Sequence, residues 1–580
     1  MYKLFKMKNK SVKLVITTVS TALVLAGCGG LGKMVKNANQ LSYEVKPKPL
    51  EMHADSVTIT IVGKYPEKFF AKKAQVKVTP ILKYGDKEKE FKTVTYKGEK
   101  STAEGTVVNF DKGGAITYTD RIAYTPEMRV SELMLKSSAS IKKKSKDFAQ
   151  VKIADGVIAT PALVMNDDKP TLGVDQFVKT TPRIADAKIQ FVIQQSQVRS
   201  TELSKPDVKA LADFMKNGQS KGYIFKNVEI SAYASPDGEE RLNEGLAQRR
   251  AEETANYLIK EFKKQKLGAA STESFFQKSS TPEDWEGFKT LVQNSEIQDK
   301  DLILRVLSMY TDPLQREQEI KNMAATYTVI ADKILPDLRR SKIRINAEEK
   351  SRTDDQISHL VTTTPDSLSL EEILYAATLT EDLDAKLNIY KTAERIYSED
   401  WRSSNNAGYV LILQNKLSDA KSQLEKADKL SANNNIVKNN LGVVAHLQGD
   451  RKKAEELYKQ ASASDNNAKY NLGIVNIKNG DYALAVINMS GSNSFNAALA
   501  HTLAGNNDAA LKAIEASPDK DSAIGYYLKA VIAARSDKAG EVARNLKAAV
   551  SKDASLKEKA KTDLEFAKFK TSAEFISAVN

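Results

Sequence analysis

Residues 228–260 read VEISAYASPDGEERLNEGLAQRRAEETANYLIK, and this stretch decides the fold of the middle of the chain. Val228 and Ile230 alternate with polar residues, which is the period-2 pattern of a half-buried strand. The sequence SPDG at 235–238 then ends the strand, because proline fixes φ and glycine permits positive φ. From Leu242 onward the apolar residues recur at close to helical spacing, which predicts an amphipathic helix.

The same stretch resembles the OmpA-like peptidoglycan-binding family. The family pattern is a strand that ends in G-x-T-D, then x-x-G, a short gap, N-x-x-L-S-x-x-R-A and a helix. The residues of this chain at the matching positions are Gly238, Asn243, Leu246, Arg250 and Ala251. The resemblance implies an α+β domain of strand-helix-strand-helix-strand order over 184–348. It also implies non-covalent binding of the diaminopimelate stem peptide of peptidoglycan.

The peptidoglycan-binding residues that the resemblance predicts are Arg250, Asn243, Ser235, Asp237 and Gly238. Diaminopimelate presents an ammonium group beside a carboxylate, so a receptor for it needs a cation and an anion. By the resemblance, Arg250 holds the carboxylate with its planar guanidinium. The amides near Gly238 and the start of the helix add positive field for the same anion.

This chain departs from the family pattern at two residues. Ala247 stands where the family has Ser, and Ser235 stands where the family has its ligand-binding Asp. Serine carries no charge, and loss of a charge-assisted partner typically costs about 1.5–3 kcal/mol of binding free energy. Asp237 is the candidate to replace that anion. The hypothesis is therefore weakened peptidoglycan binding, and the open alternative is a domain kept for structure, in which Arg250 braces the turn.

Other segments complete the predicted α+β domain. Residues 187–193 predict its first strand, 203–215 its first helix and 342–345 its last strand. The intervening residues 268–337 carry apolar stripes at helical spacing, and loops of that length without their own structure are uncommon. We expect a helical insertion there.

The amino terminus has the pattern of a lipoprotein signal peptide. Five lysines precede an apolar run at 14–25, and residues 25–28 read LAGC, which resembles the bacterial lipobox. The resemblance implies removal of residues 1–27 and acylation of Cys28, the single cysteine of the chain. Several acyl chains anchor a protein stably to lipid. No acidic sorting signal follows Cys28, so the expected location is the outer membrane, facing the periplasm.

The charge balance does not favour a nucleic-acid partner. The whole chain has a formal net charge of +13, and removal of residues 1–27 takes away five lysines. The remaining excess is ordinary for a chain of this length, and no clustered basic face replaces it.

Between the anchor and the α+β domain, the pattern predicts a β-sandwich. Residues 28–50 are expected to form a tether, 51–165 the sandwich and 166–183 a linker. Several short alternating runs are separated by glycine-rich breaks such as that at 112–114, which is typical of sandwich folds.

The carboxy-terminal third contains a repeat. After a predicted linker at 349–366, residues 367–580 show a glycine followed twelve residues later by an alanine and then by a bulky residue. Successive units begin at Gly408, Gly442 and Gly473, and the first two lie 34 residues apart. This spacing resembles the tetratricopeptide repeat, which implies a solenoid whose concave face binds a protein partner.

Taken together, the predicted layout resembles that of a Bacteroides-type outer-membrane lipoprotein. The leading hypothesis is a lipid-anchored protein that binds peptidoglycan through the OmpA-like domain and scaffolds protein partners through the repeats. The alternative is an accessory scaffold of a secretion or surface-organelle assembly, in which the OmpA-like fold no longer binds peptidoglycan. No nucleophile-base pair or phosphate-binding glycine loop is recognisable, so we expect neither an enzyme nor a cofactor. His446 and His501 lie in different repeats, and no metal site is expected.

Overall fold

The computed structural model describes residues 30–268 and 272–580. The predicted signal peptide over 1–27 and Cys28, the predicted acylation site, therefore lie outside the described residues. Among the described residues, no helix combines the length and the apolar character needed to cross a bilayer. The chain divides into two compact units, of which unit 1 comprises Met1–Gly173 and Glu399–Asn580 and unit 2 comprises Val174–Ser398.

The amino-terminal part of unit 1 consists of two β-sheets. Its elements are α1 (Leu31–Lys36), β1 (Ser42–Lys46), β2 (Met52–His53), β3 (Ser56–Tyr65), β4 (Gln75–Tyr84), β5 (Lys87–Glu90), β6 (Val94–Gly98), β7 (Thr106–Val108), β8 (Gly114–Ala123), β9 (Ser131–Ile141), β10 (Lys144–Asp147) and β11 (Val151–Gly156). The first sheet contains β1, β2, β3 and β8, and the second contains the other strands. Alternate residues of β3 and β4, such as Ile59 and Val76, enter one common hydrophobic cluster. The expected sheet-rich region is therefore present.

The predicted tether over 28–50 needs correction. The segment contains α1 and also β1, which pairs antiparallel with β3. Leu31, Met34 and Val45 are buried in the cluster shared by the two sheets. These apolar residues join the segment to the folded region, since burying them stabilises the folded state.

Unit 2 contains a four-stranded sheet. Its elements are β12 (Thr180–Gln190), α2 (Ser200–Leu203), α3 (Pro206–Ser220), β13 (Ile224–Tyr233), α4 (Glu240–Lys264), β14 (Phe276–Thr281), α5 (Trp285–Gln293), α6 (Lys300–Met309), α7 (Pro313–Asn322), α8 (Ala324–Lys333), α9 (Leu335–Leu338), β15 (Arg340–Lys350), α10 (Asp354–Thr363), α11 (Leu370–Ala376) and α12 (Leu383–Ile396). The strand order is β12-β15-β13-β14, with β13 and β14 parallel and the other pairs antiparallel. Ile230 of β13 and Leu258 of α4 share its core, as their apolar spacing predicts.

Two predicted boundaries within unit 2 change. The segment predicted as a helical insertion over 268–337 also contains β14, which is part of the sheet, and its helices α5–α9 form a separate hydrophobic cluster. The segment predicted as a linker over 349–366 contains α10. Thr353 caps this helix in a capping box with Gln356, and Ile357 and Val361 place buried apolar side chains four residues apart.

The carboxy-terminal part of unit 1 is helical. Its helices are α13 (Trp401–Leu413), α14 (Leu417–Leu430), α15 (Asn435–Leu447), α16 (Arg451–Ala461), α17 (Asn466–Asn479), α18 (Tyr482–Asn488), α19 (Phe495–Leu503), α20 (Asn507–Glu515), α21 (Ala523–Arg535), α22 (Ala539–Lys552), α23 (Leu556–Thr562) and α24 (Ala573–Ala578). Consecutive helices pack as pairs, beginning with α13 and α14. A Cβ atom on Gly442 would lie 2.5 Å from the ring of Tyr458 on the paired helix. The predicted helical pairs are thus confirmed.

The β-sheet part of unit 1 contacts these helices. The ring of His53 packs edge-on against Tyr482 with centroids 5.5 Å apart, and Arg129 donates to the Thr562 hydroxyl at 2.8 Å. His53 thus has a packing partner within the same unit.

Candidate functional site

The predicted peptidoglycan-binding residues come together at the turn after β13. Asn243 donates from Nδ2 to the backbone oxygens of Ser235 at 3.1 Å and of Gly238 at 3.0 Å, so it closes the turn. The Ser235 hydroxyl donates to the carboxylate of Asp237. Asp237, the expected replacement anion, is paired with Arg339, whose Nη2 lies 3.2 Å from Oδ2.

Arg250 lies inside the domain. Its Nε, Nη1 and Nη2 atoms donate to the backbone oxygens of Gln195 at 2.9 Å, Tyr233 at 2.9 Å and Val192 at 3.2 Å. The residue is 1% exposed, and burial, with the nearby positive charge of Arg339, lowers its pKa to about 10. This is the geometry of an arginine that braces the turn. Its binding of a ligand carboxylate stays a prediction.

Arg339 is a cation that the sequence prediction did not include. It follows the last insertion helix, α9, and also donates from Nε to the Ser235 hydroxyl at 3.2 Å. The side chains of Arg339 and Asp237 are 11% and 12% exposed, so little of this ion pair faces solvent. Pro236 of the same turn shares a small cavity with Trp285 and Tyr327 of the insertion helices. The insertion therefore covers part of the predicted site.

A second site lies on the helices of unit 1. We call residues 165–173 the groove segment. Residues 166–173 belong to the stretch predicted as a linker over 166–183, and Met165 directly precedes that stretch. Between Val164 and Val178 the chain forms neither helix nor strand. The groove segment instead lies against the first helices of four successive pairs, which are α13, α15, α17 and α19.

Each of these four helices contributes one asparagine that binds the backbone of a single residue at both its N–H and its C=O. The Oδ1 atom of Asn440 accepts from Thr171 N, and its Nδ2 donates to Thr171 O, both at 2.7 Å. The other three bind in the same way at 2.8–3.0 Å, and the pairs are Asn406 with Gly173, Asn471 with Lys169 and Asn496 with Met165. The groove segment runs opposite to the order of the helices. We call these four side chains the asparagine clamps.

Neighbouring asparagines orient the clamps. Asn440 donates to Oδ1 of Asn405 at 2.9 Å, and Asn471 donates to Oδ1 of Asn439 at 2.9 Å. The four clamp asparagines are at most 1% exposed. Buried amides need partners for both their donors and acceptors, and the groove segment supplies a large share of them.

The groove also binds side chains of the segment. Asp168 accepts from the Tyr458 hydroxyl at 2.7 Å, and both of its oxygens lie 2.8 Å from His446 Nδ1. Asp167 accepts from the Tyr470 hydroxyl at 2.7 Å and from Asn496 Nδ2 at 2.6 Å. Burial of its carboxyl group raises the pKa of Asp167. Two adjacent carboxylates are thus held by different helices.

A short sequence pattern marks the clamps, although the repeat analysis did not use it. Three of them stand two residues before the glycine that begins a repeat unit, as in Asn440-Leu441-Gly442. In the fourth unit, Asn496 stands two residues before Ala498. An asparagine repeated at one position of successive units indicates a function common to all of them.

Comparisons with known proteins give limited similarity. No protein-family model matches the chain, and no curated protein matches it. Among solved structures, a tetratricopeptide repeat protein from Parabacteroides merdae is 15% identical, covers 36% of this chain and 91% of its own, and has a TM-score of 0.28. The type IV pilus biogenesis factor PilW is 14% identical, with coverages of 40% and 100% and a TM-score of 0.27.

YrrB, described as a TPR protein with an unusual peptide-binding site, is 17% identical, covers 37% of this chain and all of its own, and has a TM-score of 0.23. TM-scores this low transfer no property from these proteins to this chain. The assignment of the helical part of unit 1 as a repeat solenoid rests on its paired helices and their close glycine contacts. The helical part of unit 1 resembles a tetratricopeptide repeat solenoid. Its asparagine-lined groove holds the groove segment of the same chain.

Proposed function

We propose that this protein is a cell-envelope scaffold whose helical groove binds an extended polypeptide segment through its backbone. The asparagine clamps carry this proposal, because each of them pairs with one N–H and one C=O of the same residue. Every residue except proline has both a backbone N–H and a C=O, so recognition of this kind tolerates different side chains. Three of the clamps bind every second residue, namely Lys169, Thr171 and Gly173, and this period of two suits an extended occupant.

The partner-binding role can be tested by photo-crosslinking in cells. A photoreactive amino acid placed at Asn467, at the edge of the groove, is expected to capture a defined protein partner. The Asn440→Ala/Asn471→Ala variant is expected to lose that crosslink. The same photoreactive residue at the exposed Gln448 provides the control position. Equal crosslinking to the same proteins from both positions would contradict a groove-specific partner.

For the location, we propose acylation of Cys28 and anchoring in the outer membrane, facing the periplasm. The lipobox resemblance of residues 25–28 supports this. Incorporation of a labelled fatty acid by the wild type and its loss in Cys28→Ser is the expected result. A Cys28→Ser protein that stays labelled and stays in the membrane fraction would rule the anchor out.

For the α+β domain, the OmpA-like resemblance supports contact with the peptidoglycan stem peptide. The alternative is an accessory scaffold of a secretion or surface-organelle assembly that no longer binds peptidoglycan, and the side-chain geometry supports its second part, the loss of peptidoglycan binding. Arg250 is occupied by three backbone oxygens, Asp237 is paired with Arg339, and Ser235 brings no charge. A zwitterionic ligand would have to compete with each of these partners.

Pull-down on purified sacculi separates the two functions of this domain. Peptidoglycan binding at the turn predicts retention of the wild type and loss of retention in Asp237→Asn and Arg339→Ala. Arg344→Ala is the matched control, since this arginine is 52% exposed and pairs with Asp186 on the sheet. Absence of retention of the wild type supports the accessory-scaffold function.

A further inference from the structure

We infer that the groove selects an extended segment of a partner protein that carries two adjacent carboxylates, and that the groove segment is an internal stand-in which such a segment displaces. This inference deepens the proposed scaffold function and rests on it. Asp167 and Asp168 of the groove segment show where the two carboxylates of the partner would lie.

The first carboxylate position is formed by α15 and α16. The Asp168 side chain is 1% exposed and contacts His446 Nδ1 and the Tyr458 hydroxyl. The Nε2 atom of His446 lies 2.8 Å from Lys478 Nζ, which places a positive charge behind the ring. A buried carboxylate is stable only with such partners, and a neutral aliphatic side chain would leave them unsatisfied.

The second position is formed by α17 and α19. The hydroxyl of Tyr470 and the amide of Asn496 both donate to Asp167. Since successive side chains of an extended chain point to opposite sides, two neighbouring acids reach two different helix pairs. The next residue, Lys169, places its ammonium group 3.8 Å from the centroid of the Tyr470 ring. The chemistry thus favours two acidic residues followed by a basic one.

The groove segment has the properties of an exchangeable occupant. All residues from Val164 to Leu172 are half-buried or exposed as whole residues, although the Asp168 side chain is enclosed, and none of them belongs to a strand or a helix. The helices that carry the asparagines also pack against one another, as in the contact of Gly442 with the ring of Tyr458, whose hydroxyl group reaches Asp168. Hydrogen bonds from Asn440 to Asn405 and from Asn471 to Asn439 also orient two of the clamps through groups of the helices themselves.

The test uses the full chain and two labelled peptides. One peptide has the sequence of residues 163–173, LVMNDDKPTLG, and the other has asparagines in place of both aspartates. Fluorescence anisotropy measures peptide binding to the wild type and to Asp167→Asn/Asp168→Asn, and hydrogen exchange follows residues 165–173. Asp111→Asn is the control, since this aspartate is 63% exposed and pairs with Lys72.

We expect faster hydrogen exchange of the groove segment in Asp167→Asn/Asp168→Asn, and binding of the aspartate peptide to it at least about tenfold tighter than to the wild type. The asparagine peptide should bind that variant at least about tenfold more weakly than the aspartate peptide. Further substitution by Asn440→Ala and Asn471→Ala should remove binding of both peptides. The Asp111→Asn protein should behave as the wild type.

Several outcomes would overturn the inference. Unchanged exchange at 165–173 in the double variant would show that the carboxylates do not hold the segment. Equal affinity for both peptides would remove the carboxylate selectivity but leave backbone binding intact. Failure of both peptides to bind a variant with a released segment would remove the proposed function as well. Loss of the helical circular dichroism signal would show that the segment is a required part of the fold.

Discussion

At the scale of single residues, one amide side chain performs several tasks in the groove. Asn440 binds the N–H and the C=O of Thr171 and donates to Asn405. Asparagine is suited to this because its amide presents both a donor and an acceptor on one short side chain. An aspartate of the same shape could only accept when ionised.

We expect Asn440→Ala to destabilise unit 1 by about 1–3 kcal/mol, because it removes the partner of the Thr171 N–H and the shorter of two hydrogen bonds to the Thr171 C=O. Urea denaturation measures the change in the free energy of unfolding. Gln448→Ala, an exposed amide at the end of the same helix, should change it by about 0.5 kcal/mol or less. A larger loss of unfolding free energy in Gln448→Ala than in Asn440→Ala would contradict the role of Asn440 as a clamp.

Glu372 of unit 2 predicts a dependence of stability on pH. Burial by itself would raise the pKa of Glu372, but hydrogen bonds from Ser369 and Arg352 outweigh it and lower the pKa. A carboxyl group with a lowered pKa in the folded state stabilises that state above its ordinary pKa of about 4.3, and the gain disappears as pH falls through the lowered value. We expect Glu372→Gln to lose about 1.5–3 kcal/mol at pH 7 and to lessen the acid sensitivity of unit 2.

The measurement for Glu372→Gln is thermal unfolding between pH 3 and 7, followed by the transition of unit 2. Glu381→Gln is the matched control, since the Glu381 side chain is 98% exposed. The interpretation would be wrong if the two variants showed the same dependence on pH.

At the scale of elements, glycines set the distance between paired helices. In three pairs, a Cβ atom added at the repeat glycine would meet a bulky residue of the second helix or of its C-cap at 2.5–2.7 Å, namely Leu424, Tyr458 or Met489. These bulky residues are the ones expected from the repeat pattern. Close packing here positions the first helix of each pair, and with it the clamp two residues before the glycine.

We expect Gly442→Ala to destabilise unit 1 by about 1–3 kcal/mol, since the added methyl group overlaps the Tyr458 ring. The better helix propensity of alanine offsets at most about 1 kcal/mol of this loss. Gly540→Ala in α22 adds the same methyl group to open space and should be neutral or slightly stabilising. Thermal melts of the two variants compare them directly, and equal shifts would contradict close packing at Gly442.

At the scale of the whole molecule, the chain forms unit 1 from two separate stretches, with all of unit 2 between them. The groove segment ends at Gly173, the last residue of the first stretch, and binds helices of the second stretch. The asparagine clamps therefore join parts of unit 1 that are more than 200 residues apart in sequence, as in the bond between Gly173 and Asn406, 233 residues apart.

We expect calorimetry of the full chain to show two transitions. Asn440→Ala should lower only the unfolding temperature of unit 1. Asp284→Asn should lower only the unfolding temperature of unit 2, because it breaks the buried pair of Asp284 with Arg340. The expected loss in free energy of unfolding is about 3–5 kcal/mol. Asp186→Asn removes the partner of the exposed Arg344 and should cost about 1 kcal/mol or less. A single transition that both variants shift equally would show that the units unfold together.

Much of the local structure could be predicted from patterns in the chain. The alternation at Val228 and Ile230 predicts β13 because a half-buried strand has a period of two residues. The spacing of 34 residues between Gly408 and Gly442 predicts the helix pairs because it is the length of one repeat. The groove segment shows no such period. Its polar residues, with Pro170 inside it and Pro161 shortly before it, are typical of a linker, and its partners lie far away in sequence.

The sequence by itself determined the sheet-rich amino-terminal region, the strand-turn-helix unit at 228–260 and the helical repeats, since each follows from local spacing and burial of apolar residues. Only the tertiary structure decided what the polar residues do. It paired Asp237 with Arg339, enclosed Arg250 among backbone oxygens, and aligned Asn406, Asn440, Asn471 and Asn496 on one extended segment. The physical reason is that the partner of a buried hydrogen-bonding group is chosen by distance in space, and local sequence periodicity carries no information about that distance.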